Sequence, residues 1–195
     1  MDLNKLSSEA HGMAVEHGFW EDEHSNEHCL CLVISEIAEA VEADRKNRHF
    51  DVSGYELAME PLERIDRDWM GRKMKKMVQT DHVTAFKAYM KDTVEDEMAD
   101  VVIRLADMAG DQMVDFDKLA PSNYYRAFGR WSFTENAFAL MKGLSRENTN
   151  INRRIQFGIK YMFDWAESLG FDLEYSIREK MKFNATRGVR HGKAY

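Results

Sequence analysis

Two apolar helical segments of this chain each carry a pair of acids one turn apart: Glu36 and Glu39 within CLCLVISEIAEAVEADR, and Glu97 and Asp100 within VEDEMADVVIRLADMAG. Residues three apart on a helix share a face. With about 100° between successive residues, Glu36 falls between Leu32 and Ala40 beside Cys29, and Glu97 falls beside Val101 between the lines of Met90 and Met108. All four acids are thereby assigned to inward faces, with Glu42, Asp96 and Asp107 supplying the outward charge. A buried carboxylate is expensive to desolvate without a matching cation or donor, and four of them meeting from two helices repel one another. A cation between the helices resolves the conflict. A donor set made only of oxygen favours a hard divalent ion, Mg²⁺ or Mn²⁺, over zinc. Solvated surface faces account for most helical Glu and Asp, but the apolar neighbours of these four oppose that reading. A di-iron carboxylate centre requires a Glu-x-x-His step, which neither segment has.

The remainder of the chain predicts one all-α helical bundle. With 195 residues, 44% hydrophobic and 31% charged, it can build a single substantial core. Two prolines against 13 methionines favour helix throughout. Expected helices cover EAHGMAVEH, capped by Ser7 or Ser8 and stopped near Gly18, then 28–47, and then 92–109, closed by Gly110. SFTENAFALMKGLSRE, INRRIQFGIKYMFDWAESLG and FDLEYSIREKMKFNATR follow as further helices. A loop is expected around Ser53-Gly54, and one or two peripheral helices within 61–92, where RKMKKM reads as a basic helix face; no segment shows β alternation. The net charge of −7 argues against broad binding to nucleic acid or anionic membrane. No run approaches the roughly 20 apolar residues of a membrane span, and the first residues lack a cationic, then apolar, leader pattern. A cytoplasmic protein is expected. Cys29 and Cys31 point apart on one helix and suit reduced thiols.

Near the C-terminus, Lys180, Asn184 and Arg187 form one polar stripe, followed by Arg190, His191, Gly192 and Lys193. Such cations can merely complement a helix macrodipole. Beside an acidic metal site that needs an anionic ligand, they read instead as contacts to polyphosphate oxygens. Phe19 and Trp20 precede the first acidic helix and suit either stacking on a nucleobase or plugging a bundle end. His24 and His28, one turn apart, read as surface residues rather than metal ligands. No G-x-G-x-x-G, P-loop or G-x-S-x-G motif is present.

The succession SEIAEAVEADRK, EDEMADVVIRLADMAG and KMKFNATRGVRHGKAY resembles the MazG-like nucleotide pyrophosphohydrolases of the all-α NTP pyrophosphatase superfamily. That family's signature is E-E-x-x-E followed by E-x-x-D, with a Lys, Asn, Arg and HGK tail. The resemblance implies Mg²⁺-dependent hydrolysis of a nucleoside triphosphate to monophosphate and pyrophosphate. It implies Glu36, Glu39, Glu97 and Asp100 as metal ligands, and Lys180, Asn184 and Arg187 as phosphate contacts; Lys193 of the HGK tail, and Trp20 on the stacking reading above, complete the expected substrate-binding set. Glu39 is nominated to accept the proton of the attacking water, and Lys180 and Arg187 to steady developing charge. The family generally builds its site from paired subunits, so the resemblance implies a homodimer, with two added helices as the internal alternative to a second chain. Ser35 stands where the signature has its first Glu, and the stretches about 50–92 and 111–166 read as insertions within a single 1–195 domain. A selective dUTP or dCTP pyrophosphatase, and a non-catalytic helical module binding nucleotide or a partner, are the alternatives.

Overall fold

The computed structural model describes residues 1–67, 70–120 and 126–189. Apart from one β-hairpin, the regular structure of these residues is helical, as the composition predicts. The chain divides into two compact units, Met1–His49 with Asp92–Tyr195, and Phe50–Lys91.

The first unit is built around α5 (Val94–Asp111), which packs against α1 (Leu3–Glu16), α2 (Asn26–Arg45), α7 (Ile151–Leu169) and α8 (Leu173–Asn184). α6 (Phe133–Leu144) joins α2 and α7. Encirclement explains why α5 is buried around most of its circumference, with Val94 through Ala99 among its buried residues. Val33, Ile37, Met98, Leu105, Leu140 and Trp165 are among the side chains that close the core. α6 and α7, which fall in the stretch read as an insertion, belong to this same core. Ser132 and Glu135 form the capping box of α6, and Gly170, at φ +83°, ends α7 in the left-handed conformation.

Several boundaries differ from the sequence expectation. α1 starts at an Asp2 cap, and Ser7 is a buried helical residue whose hydroxyl donates to the Ala106 carbonyl at 2.9 Å. A strong cap further upstream extends the helix past the serines. Gly110 does not close α5 but lies within it, where a Cβ would stand 2.4 Å from His11 Cβ and 3.0 Å from the Ser7 carbonyl oxygen. Glycine here allows α1 and α5 to approach closely. The Ser53-Gly54 region is not a loop but α3 (Val52–Met59), because the Asp51 side chain accepts from the Gly54 amide and caps it.

The second unit contains α3, the antiparallel pair β1 (Leu62–Arg67) and β2 (Lys73–Val78), and α4 (His82–Tyr89). α3 packs on α4, and Phe50, Tyr55 and Phe86 are buried in this unit. The strands replace the peripheral helix expected over RKMKKM. Leu62 and Ile65, and likewise Met74 and Met77, stand three apart and imitate helical spacing, yet on a strand each pair falls on opposite faces. Gly71, at φ +76°, lies in the connection between the strands.

Gly110→Ala tests the close approach of α1 and α5. Alanine is the better helix former by about 1 kcal/mol, but the clash with His11 Cβ and the Ser7 carbonyl should outweigh it. We expect a net loss of about 1–2 kcal/mol in urea denaturation. A gain in stability would show that the two helices separate without cost.

Candidate metal centre and adjoining cleft

The Ser25 hydroxyl caps α2 by accepting from the His28 amide, and Thr93 caps α5 by accepting from the Asp96 amide. The first turn of α5 then holds Glu95, Asp96 and Glu97, where the helix macrodipole favours negative charge. Oxygens of Glu36, Glu97 and Asp100 converge within 4.8 Å of one another, a grouping able to hold a metal ion. Oxygens of Asp92, Asp96 and Glu97 form a second such grouping, so Glu97 belongs to both. The facing acidic steps read from the sequence are therefore brought together, with one exception. Glu39 is exposed and outside both groupings, although its charge is felt at Glu36 and Glu97.

The outward placement assigned to Asp96 and Asp107 is overturned. Asp96 is 1% exposed. Its Oδ1 accepts from Lys180 Nζ at 2.6 Å and its Oδ2 from the Asp92 amide at 2.9 Å. Asp92 itself has φ +60°, the left-handed region that Asp tolerates better than most residues. Asp107 Oδ1 accepts from Trp20 Nε1 at 2.9 Å and faces His11 Nδ1 at 2.8 Å. A helical wheel drawn for one helix treats polar side chains as solvent-facing. α5 is enclosed by four other helices, and its acids find partners there instead.

Lys180 departs from the open stripe expected of it. Its buried ammonium lies 2.6 Å from Asp96 Oδ1 and 2.7 Å from Asp100 Oδ2. Burial alone would discharge it, but the facing carboxylates of Asp100 and Asp96 prevail and hold it charged to above the ordinary lysine range. Arg104, which the sequence reading passed over, donates from Nε to Glu36 Oε1 at 2.6 Å. Burial, followed by the charge of Asp100, raises the Glu36 carboxyl against this pairing. Among the described residues no ion pair reaches Glu97. Burial, then the charges of Asp96 and Asp100, push it up to about 8.

A cleft of about 120 Å³ adjoins the acids, with Phe19, Trp20, Asp100, Arg104, Asn184 and Arg187 among its lining residues. Asn184 is buried and its Oδ1 has no hydrogen-bond partner among the described residues, which suits a polar group supplied by a ligand. Arg187 is half-buried, its guanidinium 5.9 Å from the Phe183 ring centre. His24 and His28 stack face to face with ring centres 4.5 Å apart, and neither belongs to a metal-holding grouping among the described residues. They line the same cleft rather than the open surface. Cys29 and Cys31 are free thiols. Lys193 lies outside the described residues. No helix among them is long and apolar enough to cross a membrane. Comparison with protein-family models, curated proteins and solved structures gives no match for this chain.

The raised Glu97 carboxyl makes stability pH-dependent. Unfolded, it ionises near its ordinary 4.5; folded, it keeps its proton to about 8. Its contribution is complete below the lower value and is lost as pH rises through the upper one, a decline of roughly 5 kcal/mol. Urea denaturation in EDTA across this range should show that decline, and Glu97→Gln should flatten it. Millimolar Mn²⁺ should restore stability at the alkaline end. An unchanged pH slope in Glu97→Gln would mean that Glu97 ionises normally in the folded protein.

Proposed function

We propose that the protein is a divalent-metal-dependent nucleoside triphosphate pyrophosphohydrolase of MazG-like type, splitting its substrate into nucleoside monophosphate and pyrophosphate. The observation that carries this reading is the convergence of Glu36 and Glu97 on Asp100, which itself lines a cleft that also presents Trp20, Asn184 and Arg187.

The donor set fits the ion. Oxygens around an octahedral Mg²⁺ lie about 3–4 Å apart, and the three carboxylates need only a small contraction from their 4.8 Å limit. Burial, then the charges of Asp96 and Asp100, raise Glu97, and a bound cation would offset both. Glu36, Glu97 and Asp100 would hold Mg²⁺ or Mn²⁺. When bound, such an ion supplies charge neutralisation and Lewis acidity at the triphosphate.

The chain's own groups supply the rest. Arg187 offers a guanidinium fork to non-bridging phosphate oxygens, and the buried Asn184 amide meets a polar group of the ligand. Trp20, its indole fixed by the Nε1–H donated to Asp107, presents a rigid aromatic wall to the base. Glu39, exposed and beside the ion-holding acids, accepts a proton from the water that adds across the α–β anhydride. The water's oxygen, keeping its other proton, bonds to one phosphorus of that anhydride as the bridging P–O bond there breaks, and the proton taken by Glu39 is released with the products. Lys180 acts on Asp96 and Asp100 rather than on phosphate, because its ammonium is already engaged with both.

Incubation with a panel of common and modified (d)NTPs in Mg²⁺, Mn²⁺ or EDTA, reading monophosphate and pyrophosphate, tests the reaction. It also separates a broad enzyme from one selective for dUTP or dCTP. Glu36→Gln and Asp100→Asn should abolish turnover with the helical circular dichroism retained, and Glu39→Gln should lower kcat by about 100-fold or more with metal affinity kept. Full activity in Glu36→Gln, or in EDTA, would remove the metal-dependent reading. Nucleotide binding without turnover in the unaltered protein would favour the non-catalytic module. Light scattering on a sizing column reads whether the chain pairs as a homodimer.

A further inference from the structure

The acid nest offers two groupings within ion-holding distance, Glu36–Glu97–Asp100 and Asp92–Asp96–Glu97, and a lysine enters it from α8. The Lys180 side chain is 6% exposed, and its Nζ lies 2.6 Å from Asp96 Oδ1 and 2.7 Å from Asp100 Oδ2. Asp96 is further committed through Oδ2, which accepts from the Asp92 amide. The ammonium is a compact point charge with three donors, and it sits between the two acids in the manner of a bound cation. We propose that Lys180 is a resident counter-ion which fills the Asp96 side of the nest and restricts the centre to one divalent cation, held by Glu36, Glu97 and Asp100.

The inference rests on the metal-centre reading given above and goes beyond it to the number of ions. Geometry alone does not prevent a second ion, since Asp92, Asp96 and Glu97 also come within 4.8 Å of one another. What opposes it is charge together with the engagement of Asp96. The ammonium stands against Asp96 and Asp100 alike, but among the described residues only Asp96 has both oxygens taken, and a divalent ion there would meet a fixed positive charge at close range in a buried setting, where Coulomb repulsion is poorly screened. It would also have to replace two donors already on Asp96. Removing the ammonium without removing the acids should therefore open the second grouping.

Mn²⁺ titration of the full chain without nucleotide, followed by calorimetry and by the electron paramagnetic resonance of free Mn²⁺, reads the stoichiometry directly. We expect one Mn²⁺ per chain in the unaltered protein and in Lys180→Arg, which keeps the charge. Lys180→Met should bind two, and Lys180→Gln, which keeps a donor but not the charge, should do the same if the methionine variant fails to fold. Adding Asp96→Asn to Lys180→Met should return the count to one and so locate the gained ion. Two ions in the unaltered protein would overturn the proposal whatever the variants do, as would a count of one in a folded Lys180→Met or Lys180→Gln. One bound Mn²⁺ with no nucleotide hydrolysis would remove the pyrophosphohydrolase reading and leave the counter-ion standing. Absence of any Mn²⁺ binding would remove the metal centre and the counter-ion together.

Discussion

Enclosing α5 around most of its circumference obliges the protein to desolvate most of what that helix carries, and its first turns carry Glu95, Asp96, Glu97 and Asp100. The three consecutive acids meet the requirement differently. Glu95 faces His49 at 3.3 Å, Asp96 is matched by Lys180, and Glu97 is left to the helix N-terminus and its own proton. The capping hydroxyl of Thr93 and the left-handed Asp92 fix the backbone that aims them. One buried turn thereby decides where α8 must place a cation, and which face of α2 must receive Glu36.

Such an arrangement is poorly explained by stability. Replacing buried ionic groups with apolar residues of similar volume is often neutral or stabilising, and the first turn of α5 could dock as firmly with leucine and methionine. Retaining carboxylates that raise one another's proton affinity stores electrostatic tension beside a cleft, where perturbed acids more often serve binding or chemistry than packing. Lys180 and Arg104 relieve part of that tension without cancelling it. Glu36, Asp92, Asp96, Glu97 and Asp100 still outnumber them.

The all-α class and the pairing of Glu36 with Glu97 and Asp100 were legible in the sequence because both follow from periodicity: apolar residues at helical spacing with acids inside the apolar sector. Asp96, Asp107 and Arg104 were not legible, because their burial depends on helices that arrive from distant parts of the chain. Asp96 is matched from residue 180 and Asp107 from residues 11 and 20. A signal for Asp96 was nonetheless present. Three acids in succession cannot all point outward from a helix whose following residues are apolar on nearly every side. The hairpin was hidden for the opposite reason, since its apolar residues are exposed and carry no burial pattern. Its identity lies in a turn and a register rather than in a face.

Glu97, Asp100, Arg104 and Asp107 lie along one stripe of α5, at successive spacings of three, four and three residues. Read from the N-terminus, that stripe presents two carboxylates from a grouping able to hold an ion, then a guanidinium, then the carboxylate that accepts from the Trp20 indole. The rise of a helix places Asp107 roughly 10 Å beyond Asp100. A ligand lying along this stripe would meet Asp100 first, then Arg104, then Asp107 with the Trp20 indole it holds, and Arg187 lines the same cleft. That polarity matches a molecule that is polyanionic at one end and flat and aromatic at the other. A single helix, buried because its neighbours bury it, thus sets the order of charge along this face of the cleft.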